Sequence, residues 1–297
     1  MNKTVAVVVT YNRRDILKKN IECLLGQKDG ACDILIINNA STDGTEEMVL
    51  ADYGDNEQVI YCNSGANLGG AGGFEFGIGK AATLGYEYIW IMDDDTWPSE
   101  SALSALYMAD EKLAGNWGFL SSAVYWTDGN LCNANKPKKS LFTFIKEDDL
   151  RRDKVKVVMG SFVSMFVRTS TVKEVGLPIG EYFIWTDDYE FSGRISRRYP
   201  CYFIPGSEVT HAMKNNVKAD VSSDDISRMD RYRYLYRNDV HCYRQFGLKG
   251  WMYIHMKKVF MALKIMLKSK DNKKVRLATI KQGYKDGLKF RPEVKKG

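Results

Sequence analysis

Three aspartates in a row, Asp93, Asp94 and Asp95, close an apolar run in the stretch YEYIWIMDDDTWPSE. Neighbouring carboxylates repel one another, so a folded chain keeps such a triplet where a positive charge sits among them or where water screens them fully. Alternate side chains of a strand point to opposite sides, which lets Asp93 and Asp95 converge while Asp94 points away. Two convergent carboxylates at a strand end make a hard oxygen site for Mg2+ or Mn2+, ions that share their coordination with phosphates and water. A solvated acidic turn is the plainer alternative. The buried strand expected before the triplet, and polar clusters at equivalent places elsewhere, favour the ion.

A second acidic group lies in WTDDYEF, where Asp187, Asp188 and Glu190 follow the aromatic stretch that runs from Tyr182 to Trp185. A carboxylate acts as a general base when it is partly enclosed and within hydrogen-bond reach of a hydroxyl, and aromatic faces beside it suit the apolar face of a sugar ring. The same residues also make a favourable helix start, with Thr186 or Asp187 as the cap and acidic side chains in the first turn. Both roles are compatible. His211 is one of 3 histidines; a lone histidine is most often structural, although imidazole suits Mn2+ as carboxylate does.

A third signal is the glycine-dense stretch NLGGAGGFEFGIG, Asn67 to Gly79. Dense glycine lets backbone approach a ligand closely and leaves N–H groups for phosphate oxygens. Phe74, Phe76 and Ile78 argue for a packed turn rather than a linker. Two nucleotide motifs are excluded. Gly79-Lys80 is followed by Ala81 where a Walker A loop needs Ser or Thr, and TYNRRD, at the first strand-to-helix turn, has no glycine for a dinucleotide fingerprint.

These residues need a frame. TVAVVVT is a β-branched run expected in a strand buried on both faces, followed by a helical stripe of Ile16, Leu17, Ile21, Leu24 and Leu25. CDILIIN, QVIYCNS and GYEYIWIMDDD continue the series of strands, separated by segments of helical length. That alternation predicts an α/β fold with a mostly parallel central sheet flanked by helices. Ligands of such sheets lie beyond the carboxyl ends of the strands, and TYNRR, NNASTD, NSGANLGG and MDDD each follow a strand. Further on, KVVMGSFVSMFVR suggests a strand pair, YFIWTDDYEFSGRISRRYP a turn and helix, CYFIPGSEVTHAM a short strand with His211, and NNVKADVSSDD a polar, mobile loop.

At 297 residues the chain suits one larger domain with an appendage. From Lys249 onward there are 15 Lys and Arg against 3 Asp and Glu, whereas the other 248 residues carry 28 against 34. An acidic body with a basic tail points to an anionic surface as partner. The body does not interleave basic and aromatic residues, which argues against nucleic acid. The 6 cysteines show no CxxC pair, as for isolated thiols in a reducing compartment. No apolar run has membrane-spanning length, and the N-terminus reaches Arg13 and Arg14 too soon for a signal peptide, so the expected location is cytoplasmic.

In the tail, Met252, Met256, Val259, Leu263 and Met266 share one helical stripe with Lys257, Lys264 and Lys268 opposite. That pattern fits a helix lying on a membrane, at the inner face of the plasma membrane. It fits equally a stripe packed on the main domain with lysines in water.

Taken in order, VVVTYNR, IINNASTDGT, NLGGAGGF, the aspartate strand end, MGSFVSMFVR and WTDDYEF followed by His211 resemble the family 2 glycosyltransferases with a GT-A fold, over roughly the first 240 residues. NLGGAGGF, MDDD and YLYRND are most similar to the galactofuranosyltransferase and rhamnosyltransferase branch. The resemblance implies a catalytic domain over residues 1–240 and a basic helical extension over 241–297. It implies a nucleotide-sugar donor bound by Thr10, Tyr11, Arg13, Asn38 (where the family usually has aspartate), Asn67, Gly69, Gly70 and Asp94. Mn2+ or Mg2+ would be held by Asp93, Asp95 and His211. Asp188 would be the catalytic base, with Trp185, Asp187 and Glu190 on the acceptor. The implied reaction is inverting transfer of galactofuranose from UDP-galactofuranose to a lipid-linked (undecaprenyl-type) or polysaccharide acceptor, with rhamnosyl transfer from dTDP-rhamnose as an alternative. A metal-dependent phosphohydrolase is the alternative of another class, which would leave the glycine-rich stretch and the YNR turn without a role.

Overall fold

The computed structural model describes residues 2–297. β1 (Thr4–Thr10) and β2 (Cys32–Asn38) are buried at every position, as unbroken apolar runs require when both faces of a sheet are covered. Between them α1 (Arg14–Leu25) turns Leu17, Ile21 and Leu24 inward. α2 (Thr45–Tyr53) and β3 (Val59–Asn63) follow, then α3 (Gly69–Thr83) and β4 (Tyr88–Asp93). β2 and β4 flank β1 and β3 adds to β2, all in parallel.

Beyond β4 the sheet changes character. β5 (Thr96–Pro98), α4 (Ala102–Lys112), β6 (Phe119–Trp126), β7 (Val155–Val157), β8 (Met165–Arg168), α5 (Thr169–Val175), α6 (Asp187–Ser196) and β9 (Cys201–His211) complete the main body. The order is β3-β2-β1-β4-β8-β6-β9-β5, with β7 on the side of β9. β8 runs antiparallel to both β4 and β6, β6 and β9 are parallel, and β5 and β7 are antiparallel to β9. The expected parallel sheet is therefore its first four strands, and the second half is mixed. β7 and β8 do not pair with each other. The segment expected as a short strand is 11 residues long, with a bulge opposite Ser122 and Ala123. One face is covered by α1, α2 and α4, the other by α3, α5 and α6.

The glycine-rich stretch is a correction to the packed-turn expectation, for it is the body of α3. A Cβ on Gly73 would stand 2.6 Å from Val9, and one on Gly77 2.7 Å from Ile37 and 2.8 Å from Val7. Glycine in a helix interior costs about 1 kcal/mol against alanine, and here close approach to β1 and β2 offsets it.

α7 (Met229–Arg244), α8 (Gly247–Lys268) and α9 (Lys273–Lys289) close the chain. Gly283 and Gly287 of α9 lie so close to α7 that a Cβ on either would stand 2.6 Å from a carbonyl oxygen, of Arg233 and Arg237 respectively. α8 is oriented against the packed-stripe alternative. Met252, Met256, Val259, Leu263 and Met266 are exposed, whereas Gly250, Ile254 and Ile265 are buried. Lys257 and Lys264 turn inward to Asp239 and Asp220, each at 2.5 Å, because those carboxylates need cationic partners; Lys268 stays exposed. The loop expected to be mobile is tied down. Val221 is fully buried, and Arg276 donates to the carbonyls of Val221 and Asp224, both at 2.8 Å.

Candidate active site

Parallel register brings the chemistry to one edge. Thr10 stands beside Asn38, Asn38 beside Asn63, and Val9 beside Asp93. The polar clusters therefore gather beyond the carboxyl ends of β1 to β4, as alternation of strands and helices requires of a parallel block.

The aspartate triplet divides there. β4 ends at Asp93, and Asp94 and Asp95 form the turn into β5, so the turn, rather than strand alternation alone, sets their directions. Asp94 accepts from Thr10 Oγ1 at 2.8 Å and from Arg13 at 3.1 Å; Asp95 accepts from Arg13 at 2.7 Å. β9 returns antiparallel to β5 with His211 opposite Thr96, which sets His211 Nε2 3.0 Å from Asp95 Oδ1. Ligand atoms of Asp93, Asp95 and His211 lie within 4.8 Å of one another.

Electrostatics in this corner follow from burial. Burial first, and then the charge of Asp95, pushes Asp93 up to about 7. Burial lifts Asp94 to about 6 against the pull of Arg13. For Asp95 burial is outweighed by His211 and Arg13, and its carboxyl is held below the usual range. His211 is raised to about 10 because the hydrogen bond to Asp95 overcomes its burial. A proton on His211 and the Arg13 guanidinium thus balance the carboxylates. Two carboxylates and one imidazole are also a donor set that fits Mn2+ or Mg2+. To ligate, His211 gives up its Nε2 proton.

The second acidic cluster is built differently. Phe183, Trp185 and Thr186 all have left-handed backbone, with φ of 63°, 66° and 71°, and α6 begins directly after them. Thr186 makes no side-chain cap; its hydroxyl donates instead to Asp239 at 3.1 Å. Asp188 accepts from the N–H of Tyr189 at 2.7 Å and has no cationic partner among the described residues. Burial, then the charge of Asp187, raises Asp188 well above the ordinary carboxylate range, with Asp93 adding to the shift. Asp93 and Asp188 are thus within electrostatic reach of each other. Burial lifts Asp187 to about 6.

Several expected contacts are placed elsewhere. Glu190 is buried and gripped by Arg194, at 2.7 Å and 3.1 Å from its two oxygens, so it is directed into the core instead of toward an acceptor. Asn38 is fully buried, donating to Tyr61 at 2.7 Å and accepting from the N–H of Ser41 at 2.8 Å; it shapes the turn after β2 and does not line the crevice. Asn67 accepts from Gly69 N–H at 3.0 Å, and the N–H of Ala71 goes to the Phe183 carbonyl at 3.2 Å, which leaves fewer free N–H groups at this turn than dense glycine suggests. Gly69, at φ 71°, has no room for a Cβ beside Phe183, while Gly70 is open. Tyr11 is exposed at the rim. Trp185 packs on Tyr232 with ring centroids 5.2 Å apart.

Four residues were missed. Asn238 donates to the carbonyls of Tyr182, Ile184 and Trp185 at 2.9–3.0 Å, and Asp239 joins Thr186 to Lys257. Both lie in YLYRND, whose polar pair on a helix otherwise buried at that face was the available signal. Asn135 faces His211 Nδ1 at 3.0 Å; nothing in its sequence neighbourhood marks it. Lys138 is buried, donates to Tyr243 at 2.6 Å, and lies 5.1 Å from the ring of Tyr189, next to Asp188.

The mixed sheet, covered on both faces and with an acidic corner at its strand ends, has the GT-A fold by its likeness to solved glycosyltransferases. The chain belongs to glycosyl transferase family 2, whose family model matches residues 5–171. It is similar to galactofuranosyltransferase GlfT1 of Mycolicibacterium smegmatis, 25% identical over 206 residues, a stretch covering 65% of this chain and 65% of that protein. It is also similar to abequosyltransferase RfbV of Salmonella typhimurium, 30% identical over 121 residues, 36% of this chain and 35% of that one. In fold it is similar to GalNAc-T7 solved with UDP, GalNAc and Mn2+, with a TM-score of 0.67 and 14% identity over 96% of this chain and 56% of that one.

Proposed function

We propose that this chain is a metal-dependent inverting glycosyltransferase that moves a sugar from a nucleotide-sugar donor to an acceptor hydroxyl. The observation that carries this reading is the contrast between two acidic groups: Asp94 and Asp95 meet Arg13 and His211, whereas Asp188 meets no cation among the described residues and is raised in part by Asp93. Thr10 and Arg13 orient Asp94 and Asp95. Asp93, Asp95 and His211 would hold Mn2+ or Mg2+, which supplies positive charge to a departing diphosphate. Asp188, with its raised proton affinity, accepts the proton of the acceptor hydroxyl as oxygen attacks the anomeric carbon from the face opposite the diphosphate. One displacement of this kind inverts the configuration. Asp187 and Trp185 border the acceptor side, Tyr11, Gly69 and Gly70 the donor side.

The likeness to GlfT1, a galactofuranosyltransferase, favours galactofuranose as the sugar moved; UDP-galactofuranose as its donor and a lipid-linked or polysaccharide acceptor are carried by the motif resemblance. The likeness to an abequosyltransferase favours a second sugar class, the deoxyhexoses; rhamnosyl transfer from dTDP-rhamnose, the alternative implied by the motif resemblance, belongs to that class. Incubation with Mn2+ and a panel of nucleotide sugars, followed by detection of released nucleoside diphosphate, tests the reading. Release from one donor, dependent on cation and acceptor, supports it; phosphate-ester hydrolysis without sugar transfer would replace it with the phosphohydrolase alternative. The division into a catalytic domain over residues 1–240 and an extension over 241–297 belongs to the same proposal, with one contact across it: Lys257 of the extension is tied through Asp239 to Thr186 in the loop before Asp188.

A further inference from the structure

α8 is held from one side only. Gly250, Ile254, Lys257 and Ile265 face the body, and the stripe opposite carries Met252, Met256, Val259, Phe260, Leu263 and Leu267, each 51–82% exposed. At 100° per residue these six fall within one sector about a third of the helix circumference wide. An apolar face this continuous, on a helix whose two inward lysines are already ion-paired, marks an interaction surface. No helix among the described residues is long and apolar enough to cross a membrane.

Charge decides the occupant. Lys249 at the start of α8, and Lys268, Lys270, Lys273 and Lys274 at its end and beyond, are all exposed. A second copy of this chain docked stripe to stripe would bring these lysine groups toward their own kind. An anionic lipid surface offers the opposite sign beside an apolar interior. We infer that α8 is an in-plane membrane helix, its apolar stripe set into the headgroup–acyl boundary and its terminal lysines over anionic headgroups. The inner side of the same helix reaches the catalytic cleft: Lys257 donates to Asp239, which accepts from Thr186, two residues before Asp188. Docking therefore sets the acceptor side of the crevice close to the lipid surface. That last consequence rests on the proposed transferase reading; the docking itself does not.

Sedimentation of the full chain with vesicles of phosphatidylcholine alone, or with about a third phosphatidylglycerol, tests this. The expected result is strong binding to the anionic vesicles, at least about tenfold weaker binding to the neutral ones, and loss of about tenfold or more for a Phe260→Ser, Leu263→Ser, Leu267→Ser variant that keeps every lysine. These side chains are exposed, so the variant should keep its circular dichroism and its cation-dependent nucleoside diphosphate release from a soluble donor. That release, measured in the same preparations, reports on the transferase reading separately. Failure of the unaltered chain to bind either vesicle overturns the inference, as does equal binding by the variant. A dimer in light scattering that the variant dissolves would assign the face to a second copy instead.

Discussion

The two acidic clusters are both built on neighbouring aspartates and differ in what surrounds them. At the end of β4, Arg13 and His211 supply charge, and Asp95 is held below the usual carboxylate range. At the start of α6, burial acts on Asp188 without a cation to oppose it, and its proton affinity rises. At the end of β4 cations meet Asp94 and Asp95 while burial raises Asp93, and at the start of α6 no cation among the described residues meets Asp188. Environments that push like groups apart in this way assign acid–base roles better than residue type does.

Replacement of Asp188 tests the contrast hardest. Asp188→Asn should lower kcat by about 10³-fold or more while leaving donor affinity in a calorimetric titration within about twofold. If donor affinity collapses and turnover survives, the roles of the clusters are exchanged. At the opposite corner, Asp95→Asn should weaken Mn2+ and donor binding by about 100-fold, and should cost about 3 kcal/mol in denaturant unfolding because Arg13 and His211 lose their partner. Unchanged Mn2+ affinity would remove the cation from this corner.

Asn238→Ala probes the loop between them. Three carbonyls lose their donor, so a stability loss of about 1–3 kcal/mol is expected. kcat should fall about tenfold with donor affinity unchanged, as the left-handed residues Phe183, Trp185 and Thr186 relax. An equal fall in donor affinity would show general unfolding rather than loosening of the acceptor side.

The smallest effects separate the clusters by sign. Turnover should rise with pH along an acid limb displaced above the ordinary carboxylate range, since Asp188 must lose its proton to act and its folded value is raised. A limb at the ordinary carboxylate value would contradict the burial of this group. By linkage, a carboxylate with a raised folded value costs stability above that value, whereas Asp95, with a lowered one, contributes stability above its unfolded value that is lost as pH falls through its folded value. Asp188→Asn should therefore raise the thermal midpoint near neutral pH by about 2–4 °C, while Asp95→Asn lowers it. Midpoints moving in the same direction would erase the distinction.

The sequence by itself determined the first half of this protein. Unbroken apolar runs mark which segments become buried strands, and in the parallel register these strands adopt their carboxyl ends align, so Thr10, Asn38, Asn63 and Asp93 share an edge. Asp93, Asp95 and Asp188 stood out because clustered carboxylates beside apolar runs are costly without a partner, whereas His211 and the role of Asp188 came only with the resemblance in motif order. What only the tertiary structure decided are the partners. The same carboxylate chemistry in Glu190 is consumed by Arg194, and Asn38 by Tyr61 and Ser41, since a hydrogen bond depends on which element arrives beside it. Periodicity found the stripe of α8 but not its direction. That was set by Asp239 and Asp220, two carboxylates that draw Lys257 and Lys264 inward and leave the apolar side outside.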